Sequence, residues 1–138
     1  MVIKKADAKD INMLVSMTKQ LFEDEHSDVV LSEEEFCSRL LTYLNNGCSA
    51  YLFVEDDVIG YALVNLNKKP CYLVDFFINR KYRRNGKGTE SFNRLMKELK
   101  IDNIDLDVFC WNERGRKFWN SLGFEERAII MRRHVITE

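Results

Sequence analysis

The most constraining feature of this sequence is an apolar strand that leads through a basic, glycine-bearing loop into a helix. The predicted strand covers residues 71–78, and the loop 83–89 contains Gly86 and Gly88. A helix start after such a loop points several backbone N–H groups at one spot, and the positive end of the helix dipole adds to them. Glycines let a ligand approach the backbone closely because they lack a Cβ atom. The pattern therefore predicts a binding site for a diphosphate.

The same loop carries the counter-charge that phosphate oxygens need. Arg83, Arg84 and Lys87 belong to a group of five bases in the segment 80–87, which contains no acid. The alternative interpretation is an ordinary helix start with solvated basic residues. Two commoner phosphate loops do not fit. A dinucleotide fingerprint needs a third glycine where Ser91 stands, and a P-loop needs a different glycine–lysine spacing.

Length and composition favour one globular domain over residues 1–138, since 46% of the residues are hydrophobic and 31% are charged. The net charge of −1 gives no argument for a nucleic-acid or membrane partner. No segment approaches the roughly 18 apolar residues of a membrane span, and the N-terminus lacks the apolar core of a signal peptide. We therefore expect a cytoplasmic protein.

The four cysteines predict free thiols and no metal centre. Cys37, Cys48, Cys71 and Cys110 form no C-x-x-C pair, and no histidine lies at metal-ligand spacing from them. Cys71 and Cys110 stand in apolar runs, which favours burial of both side chains. A reducing compartment follows by default.

Hydrophobic periodicity predicts ten elements in the order β-α-α-β-β-β-α-β-α-β, an α/β domain built on a mixed sheet. Asp7 is predicted to cap the first helix, and Ser32 and Glu35 form a capping-box pattern before the second, which Gly47 ends. The predicted strands cover 2–3, 50–55, 58–66, 71–78, 104–109 and 124–136. The first, third and fourth predicted helices cover 8–22, 86–100 and 112–122.

Two separated motifs resemble those of the Gcn5-related N-acetyltransferases (GNAT). Arg83, Gly86 and Gly88 match the family's Q/R-x-x-G-x-G/A signature, and the segment 112–124 is similar to its N-x-x-A/G-x-x-F/Y-Y/W-x-x-x-G-F segment. The resemblance covers nearly the whole chain, and the segment 72–78 is closest to the polyamine acetyltransferase branch. It implies a mostly antiparallel mixed sheet flanked by helices, with acetyl-CoA as cosubstrate.

The resemblance also implies where acetyl-CoA binds. Pantetheine would lie between the strands 71–78 and 104–109 and pair with the free backbone groups of Phe76, Phe77 and Ile78. Asn112 would hydrogen-bond the pantetheine arm or its neighbouring backbone, and Gly115 would let the cofactor approach the last helix closely. The diphosphate would lie on the loop amides of Arg84, Asn85, Gly86, Lys87, Gly88 and Thr89.

The reaction that the resemblance implies is acetyl transfer to a primary amine by direct attack in a ternary complex. A thioester is already activated, so the protein contributes mainly positioning, and a backbone N–H near Phe76 can stabilise the oxyanion. The amine must be neutral to attack, so a base is useful. Asp75 is the candidate catalytic base, and the alternative is a structural carboxylate bonded to neighbouring amides.

Two residues depart from the family pattern. Val74 stands where the polyamine branch has a glutamate, and Trp119 stands where many members have a proton-donating tyrosine. An indole donates a hydrogen bond but supplies no proton, so Trp119 is either a packing residue or an N–H donor to sulfur. Tyr61, Tyr72 and Cys110 are the alternative acids. These departures leave open a non-catalytic acyl-CoA-binding regulatory module.

The segment 23–35 contains seven acids and no lysine or arginine, and in the family this region forms a wall of the acceptor site. A negative rim would attract a cationic small molecule such as a polyamine or an aminoglycoside, or a lysine-rich peptide. The alternative is a solvated loop with helix-capping glutamates. A homodimer is expected because dimers are usual in the family. Nucleic-acid binding through 80–87 ranks last, because no recognised motif accompanies the basic loop.

Overall fold

The computed structural model describes residues 1–135, which form a five-stranded sheet with helices on both faces. The strands are β1 (Val2–Lys5), β2 (Cys48–Val54), β3 (Val58–Asn65), β4 (Cys71–Ile78) and β5 (Ile104–Leu106). The helices are α1 (Ile11–Asp24), α2 (Glu33–Asn45), α3 (Lys87–Leu99) and α4 (Glu113–Ser121). Two single 3₁₀ turns, Ala8–Asp10 and Arg80–Tyr82, precede α1 and follow β4.

The sheet is mixed and mostly antiparallel, as predicted. Strands β1 to β4 pair with their neighbours in sequence order and are antiparallel, whereas β5 is parallel to β4. A parallel pair needs a crossover connection, which α3 provides. β5 is shorter than the predicted strand 104–109, because its ladder with β4 ends at the Leu73–Leu106 pair. The two strands separate beyond that point.

The helices cover two cores, one on each face of the sheet. Leu14 and Leu40 of α1 and α2 pack on one face, and Phe92 and Leu95 of α3 pack on the other. The central strand β3 is buried on both faces from residue 59 to residue 64, which explains its nearly continuous apolar sequence. The sheet is therefore fixed from both sides.

A β-bulge in β4 decides which side chains face which core. Between the register pairs Leu63–Asp75 and Val64–Leu73, β4 carries one extra residue, Val74. A bulge shifts the alternation of side chains by one residue. Val74 packs against the core under α1 and α2, and Asp75 turns to the same face.

The predicted helix starts are present. The Ser32 hydroxyl accepts a hydrogen bond from the Glu35 amide at 3.1 Å, and the Glu35 carboxylate accepts one from the Ser32 amide at 3.0 Å. Asp7 and Asp10 form the same reciprocal cap at the 3₁₀ turn that leads into α1. Local side-chain hydrogen bonds therefore set the start of the 3₁₀ turn before α1 and the start of α2.

The predicted terminal strand over 124–136 is wrong for the residues that the structure describes. Residues 124–135 form no strand, and Ile136 lies outside the described residues. Ile129, Ile130 and Met131 are 81–89% exposed. A strand needs a partner with free backbone groups along its length, and the three-residue β5 offers too short a ladder.

Cys110 also differs from its prediction, because it is exposed in the chain that follows β5, while Cys71 is half-buried.

Within residues 1–135 no helix combines the length and the apolar content that crossing a bilayer requires.

Candidate active site

A cleft opens where β4 and β5 separate, and we call it the β4–β5 cleft. It holds a cavity of about 50 Å³ between the end of α1, the middle of β4, the chain after β5 and the start of α4. Glu25, Phe76, Asn112 and Trp119 are among the residues that line it. Within the described residues β4 has no strand partner on this side beyond Leu73, so backbone groups along this edge are available to a ligand.

Free amides lie at the start of α3, near the end of β4. The helix begins at Lys87 after Gly86, which has φ 71°, and no side chain caps it. Within residues 1–135 the amides of Lys87, Gly88 and Thr89 find no acceptor, whereas the Glu90 amide donates to the Gly86 carbonyl at 3.0 Å. A Cβ atom at Gly86 would meet nothing within 4 Å. Three unpaired donors at an open helix start fit a phosphate group.

The loop before these amides contains two residues in the left-handed region. Arg84 has φ 74° and Gly86 has φ 71°. A side chain in this region costs on the order of 1 kcal/mol, and such strain collects at ligand-binding loops. Arg84, Asn85 and Gly86 are all exposed, so the loop presents its backbone to solvent.

Arg83 shapes the loop from behind instead of facing its open side. Its Nε donates to the Ile78 carbonyl at 2.7 Å, and its Nη2 donates to Asp24 Oδ2 at 2.5 Å. Arg80 also donates to Asp24, through Nε at 2.8 Å. Burial acts to raise the pKa of Asp24, but the hydrogen bonds from Arg83 and Arg80 outweigh it and hold that pKa below its usual value. The end of α1 is thereby joined to the loop after β4.

Lys87 is also engaged elsewhere, because its Nζ donates to Glu55 Oε1 at 2.6 Å. Arg84 makes no hydrogen bond or ion pair within the described part of the chain. Of the three predicted counter-charges, Arg84 is therefore the one whose guanidinium is available to an anion at the loop.

The predicted cofactor strand contributes its backbone, since its side chains belong to the cores. Phe77 is 1% exposed under α1 and α2, and Ile78 is 6% exposed on the opposite face. Phe76 packs in an aromatic cluster with Phe53, and its ring centroid lies 5.2 Å from that of Trp119. The cleft-side main-chain groups of 76–78 are left to face a ligand in the β4–β5 cleft, except for the Ile78 carbonyl, which accepts the hydrogen bond from Arg83.

Asn112 and Gly115 form a local unit at the start of α4. The Asn112 side chain caps the helix by accepting a hydrogen bond from the Gly115 amide at 3.0 Å. A Cβ atom at Gly115 would lie 2.5 Å from Asn112 Nδ2, so the glycine makes room for this cap. Of the two roles expected for Asn112, the structure shows the bond to neighbouring backbone. The space at Gly115 is taken by Asn112 and not by open solvent.

Asp75 is held in a buried ion pair. Its two carboxylate oxygens accept hydrogen bonds from Arg39 Nη2 at 2.9 Å and Nη1 at 3.0 Å, and Tyr61 donates to Oδ2 at 2.9 Å. The Arg39 guanidinium lies over the rings of Phe22 and Tyr43, each with its centroid 5.0 Å away. Because both oxygens already accept strong donors, the geometry favours the structural role. The assignment of Asp75 as base stays a prediction.

The comparisons with known proteins decide the family. A model described as the acetyltransferase (GNAT) family matches residues 13–124. The chain belongs to this family. The order of strands and helices up to α4 confirms the fold that the sequence motifs implied.

Solved acetyltransferase structures have the same fold. A predicted acetyltransferase with acetyl-CoA from Clostridium acetobutylicum is 23% identical, covers 96% of this chain and 95% of its own, and has a TM-score of 0.72. An aminoglycoside antibiotic 6′-N-acetyltransferase from Acinetobacter haemolyticus is 16% identical over 100% of both chains, with a TM-score of 0.73. At these identities the likeness establishes the fold alone.

A curated relative is the uncharacterized N-acetyltransferase YycN of Bacillus subtilis. It is 24% identical over 84 residues, which are 56% of this chain and 54% of the relative. The chain thus spans about half the length of the curated relative that it matches.

Trp119 and Val74, the two residues that depart from the family motifs, both pack against the hydrophobic cores of the GNAT fold. Trp119 packs against Phe76 and Phe92, with ring centroids 5.2 and 5.5 Å apart, which supports its role as a packing residue. Val74 is the extra residue of the β4 bulge and packs against the core under α1 and α2. Tyr61, one of the alternative acids, is fully buried, and desolvation and the charge of Asp75 raise its pKa well above the ordinary tyrosine value. Tyr61 therefore acts as a core residue that supports Asp75.

Glu25 is the residue that sequence reasoning missed. It is half-buried at the end of α1 and lines the β4–β5 cleft. Burial and the nearby charge of Asp75 raise the pKa of Glu25 to about 7, against the opposing effect of Arg39. Its only signal in the sequence was membership of the acidic segment, which gave no reason to prefer it over six other acids.

We expect Asp75→Asn to lower the free energy of unfolding by about 3 kcal/mol, because it leaves the Arg39 cation without its partner. Tyr61→Phe is the comparison variant and should cost about 1–2 kcal/mol, since it removes the hydrogen bonds of the hydroxyl to Asp75 and Thr18 and keeps the ion pair. Urea denaturation measures both. An Asp75→Asn protein as stable as wild type, with only its kcat reduced, would instead support the catalytic assignment.

The acid dependence of stability tests the contacts of Asp24. A carboxylate whose folded pKa is depressed contributes stability above the unfolded pKa of about 3.9, and this stability is lost as the pH falls through the folded value. Asp24→Asn should therefore be less stable than wild type by about 1 kcal/mol at pH 6, and the difference should shrink at pH 3. Asp102→Asn, at an exposed residue, is the control. A difference independent of pH would contradict the assignment.

Proposed function

We propose that this chain is an acetyl-CoA-dependent N-acetyltransferase that acetylates a primary amine by direct attack in a ternary complex. The observation that carries the proposal is the trio of amides without an acceptor at the start of α3. They lie near the end of β4, which within residues 1–135 has no strand partner on its cleft side beyond Leu73. Membership of the acetyltransferase family supports the reaction. The relative from Clostridium acetobutylicum, described with acetyl-CoA, supports the cosubstrate.

The residues fit acetyl-CoA in two parts. The amides of Lys87, Gly88 and Thr89 would hold the diphosphate, with Arg84 as counter-charge and Arg83 as the residue that shapes the loop. The backbone of 76–78 would pair with the pantetheine arm along the β4–β5 cleft. Because a cavity of about 50 Å³ holds only a few water molecules, binding of the arm is expected to widen the cleft.

The proposed acceptor is a cationic small molecule of the polyamine or aminoglycoside kind. Glu25 carries acidic character into the β4–β5 cleft, and the fold is shared with an aminoglycoside acetyltransferase. The rest of the acidic segment contributes less than its composition indicates. Asp24 is paired with two arginines, and Glu35 caps α2. A homodimer and a cytoplasmic location stay predictions from the sequence.

A thiol-release screen tests the function directly. Acetyl-CoA is mixed with the protein and with spermidine, kanamycin or a lysine-containing peptide, and free coenzyme A is measured over time. Release that depends on the amine is the expected result. Binding of acetyl-CoA by calorimetry without release for any amine would support the non-catalytic acyl-CoA-binding module.

Gly86→Asp should weaken acetyl-CoA binding about tenfold, because it sets a carboxylate against the diphosphate at a cost of about 1 kcal/mol or more. Gly123→Asp is a matched control. Gly123 also has a left-handed φ, of 91°, and an added Cβ there would likewise meet nothing within 4 Å, but it lies after α4. Calorimetry gives the affinities, and equal affinities for the two variants would remove the diphosphate site from the loop.

A further inference from the structure

Backbone hydrogen bonds hold Glu25 in the wall of the β4–β5 cleft. It follows the last turn of α1, and its amide donates to the Leu21 carbonyl at 3.0 Å. Its carbonyl accepts a hydrogen bond from Trp111 Nε1 at 3.1 Å, so the chain between β5 and α4 fixes it from the other side of the cleft. Glu25 lines the same cavity as Phe76 and Asn112.

The Glu25 carboxylate is free of partners where its neighbours are not. Within residues 1–135 it makes no hydrogen bond and no ion pair, whereas Asp24 is bound by Arg80 and Arg83. Asp75 is bound by Arg39. The two carboxylates whose charges act on Glu25 are therefore each held by an arginine ion pair, whereas Glu25 lines the cavity without one.

We infer that Glu25 is the general base that removes a proton from the acceptor ammonium. This assignment rests on the proposed N-acetyltransferase function and names a base for it. Glu25 lines the cavity together with Phe76, near whose backbone the thioester is proposed to bind. An amine that reaches the thioester through this cavity passes the carboxylate. In this scheme Asp75 supports the fold and not the proton transfer.

The charges around Glu25 suit a base that works near neutral pH. Burial disfavours its negative charge, Asp75 on β4 and Asp24 at the end of α1 repel that charge, and Arg39 on α2 attracts it. Asp107, after β5, lines the same cavity. With a pKa of about 7, Glu25 is largely a carboxylate just above neutral pH and binds a proton better than an ordinary glutamate, whose pKa is about 4.3.

Proton transfer to Glu25 and acetyl transfer to the amine form a balanced reaction. The Glu25 carboxylate takes one proton from R–NH₃⁺ and becomes a carboxylic acid, and the freed lone pair of the amine attacks the thioester carbon. A C–N bond forms and the C–S bond breaks, so the sulfur leaves with the bonding pair. The second proton of the amine neutralises the thiolate, and Glu25 returns its proton to solvent. The products are the amide, coenzyme A and one proton.

Glu25→Gln tests the inference in the full chain, with Glu23→Gln as the matched control. Glu23 is an exposed acid on the same helix, two residues away. With the amine that wild type acetylates in the screen, Glu25→Gln should lower kcat about 100-fold at pH 7.5. Acetyl-CoA affinity by calorimetry should stay within about twofold of wild type. The rise of kcat/KM with pH through an ionisation near 7 should be absent from Glu25→Gln and present in Glu23→Gln.

A second acceptor pair separates a base from a structural residue. Ethylamine is a cation at pH 7.5, whereas 2,2,2-trifluoroethylamine is largely neutral and needs no base to free its lone pair. Glu25→Gln should lose much more activity with ethylamine than with the fluorinated amine. Equal losses with both amines, parallel loss of acetyl-CoA affinity, or an unchanged pH profile would overturn the role of Glu25.

The two proposals fail in different ways. If wild type releases no coenzyme A with any amine, the proposed function fails, and the role of Glu25 fails with it. If wild type is active and Glu25→Gln behaves like Glu23→Gln, only the role of Glu25 is overturned. If Asp107→Asn lowers kcat about 100-fold and Glu25→Gln does not, the base is Asp107, which lines the same cavity.

Discussion

The three-residue ladder between β4 and β5 is the constraint on which the rest of the site depends. Once the pairing ends at Leu73 and Leu106, the two strands move apart, and no other strand in the described part of the chain pairs with this edge of β4. A buried edge of this kind has to find other donors and acceptors. The β4–β5 cleft, the free amides of α3 at its end and the capped start of α4 are all arranged around this separation.

Arginine pairing decides which acids of the site stay available. Arg80 and Arg83 of the loop after β4 bind Asp24, and Arg39 of α2 binds Asp75. The first two pairs join the end of α1 to the proposed cofactor loop, and the third joins α2 to β4. A carboxylate that is not paired in this way keeps its charge exposed to the cavity, and burial makes that charge costly.

The β-bulge at Val74 adds a second control over the site. Without the extra residue, the side chain of Asp75 would point to the opposite face and into the core under α3 and α4. With it, the carboxylate meets Arg39 and Tyr61. Asp75, the candidate base from the sequence, therefore forms hydrogen bonds that stabilise the sheet. Glu25, at the end of α1, is an acid that lines the cleft instead.

The sequence by itself determined what local chemistry controls: the cap at Asp7, the capping box at Ser32, the helix start after Gly86, and the family motifs around Arg83 and Asn112. Tertiary structure alone decided where β5 stops and why 124–135 has no strand. It also decided which carboxylate is paired. Strand pairing and ion pairing join residues that are distant in the chain, so neither periodicity nor motif spacing contains them.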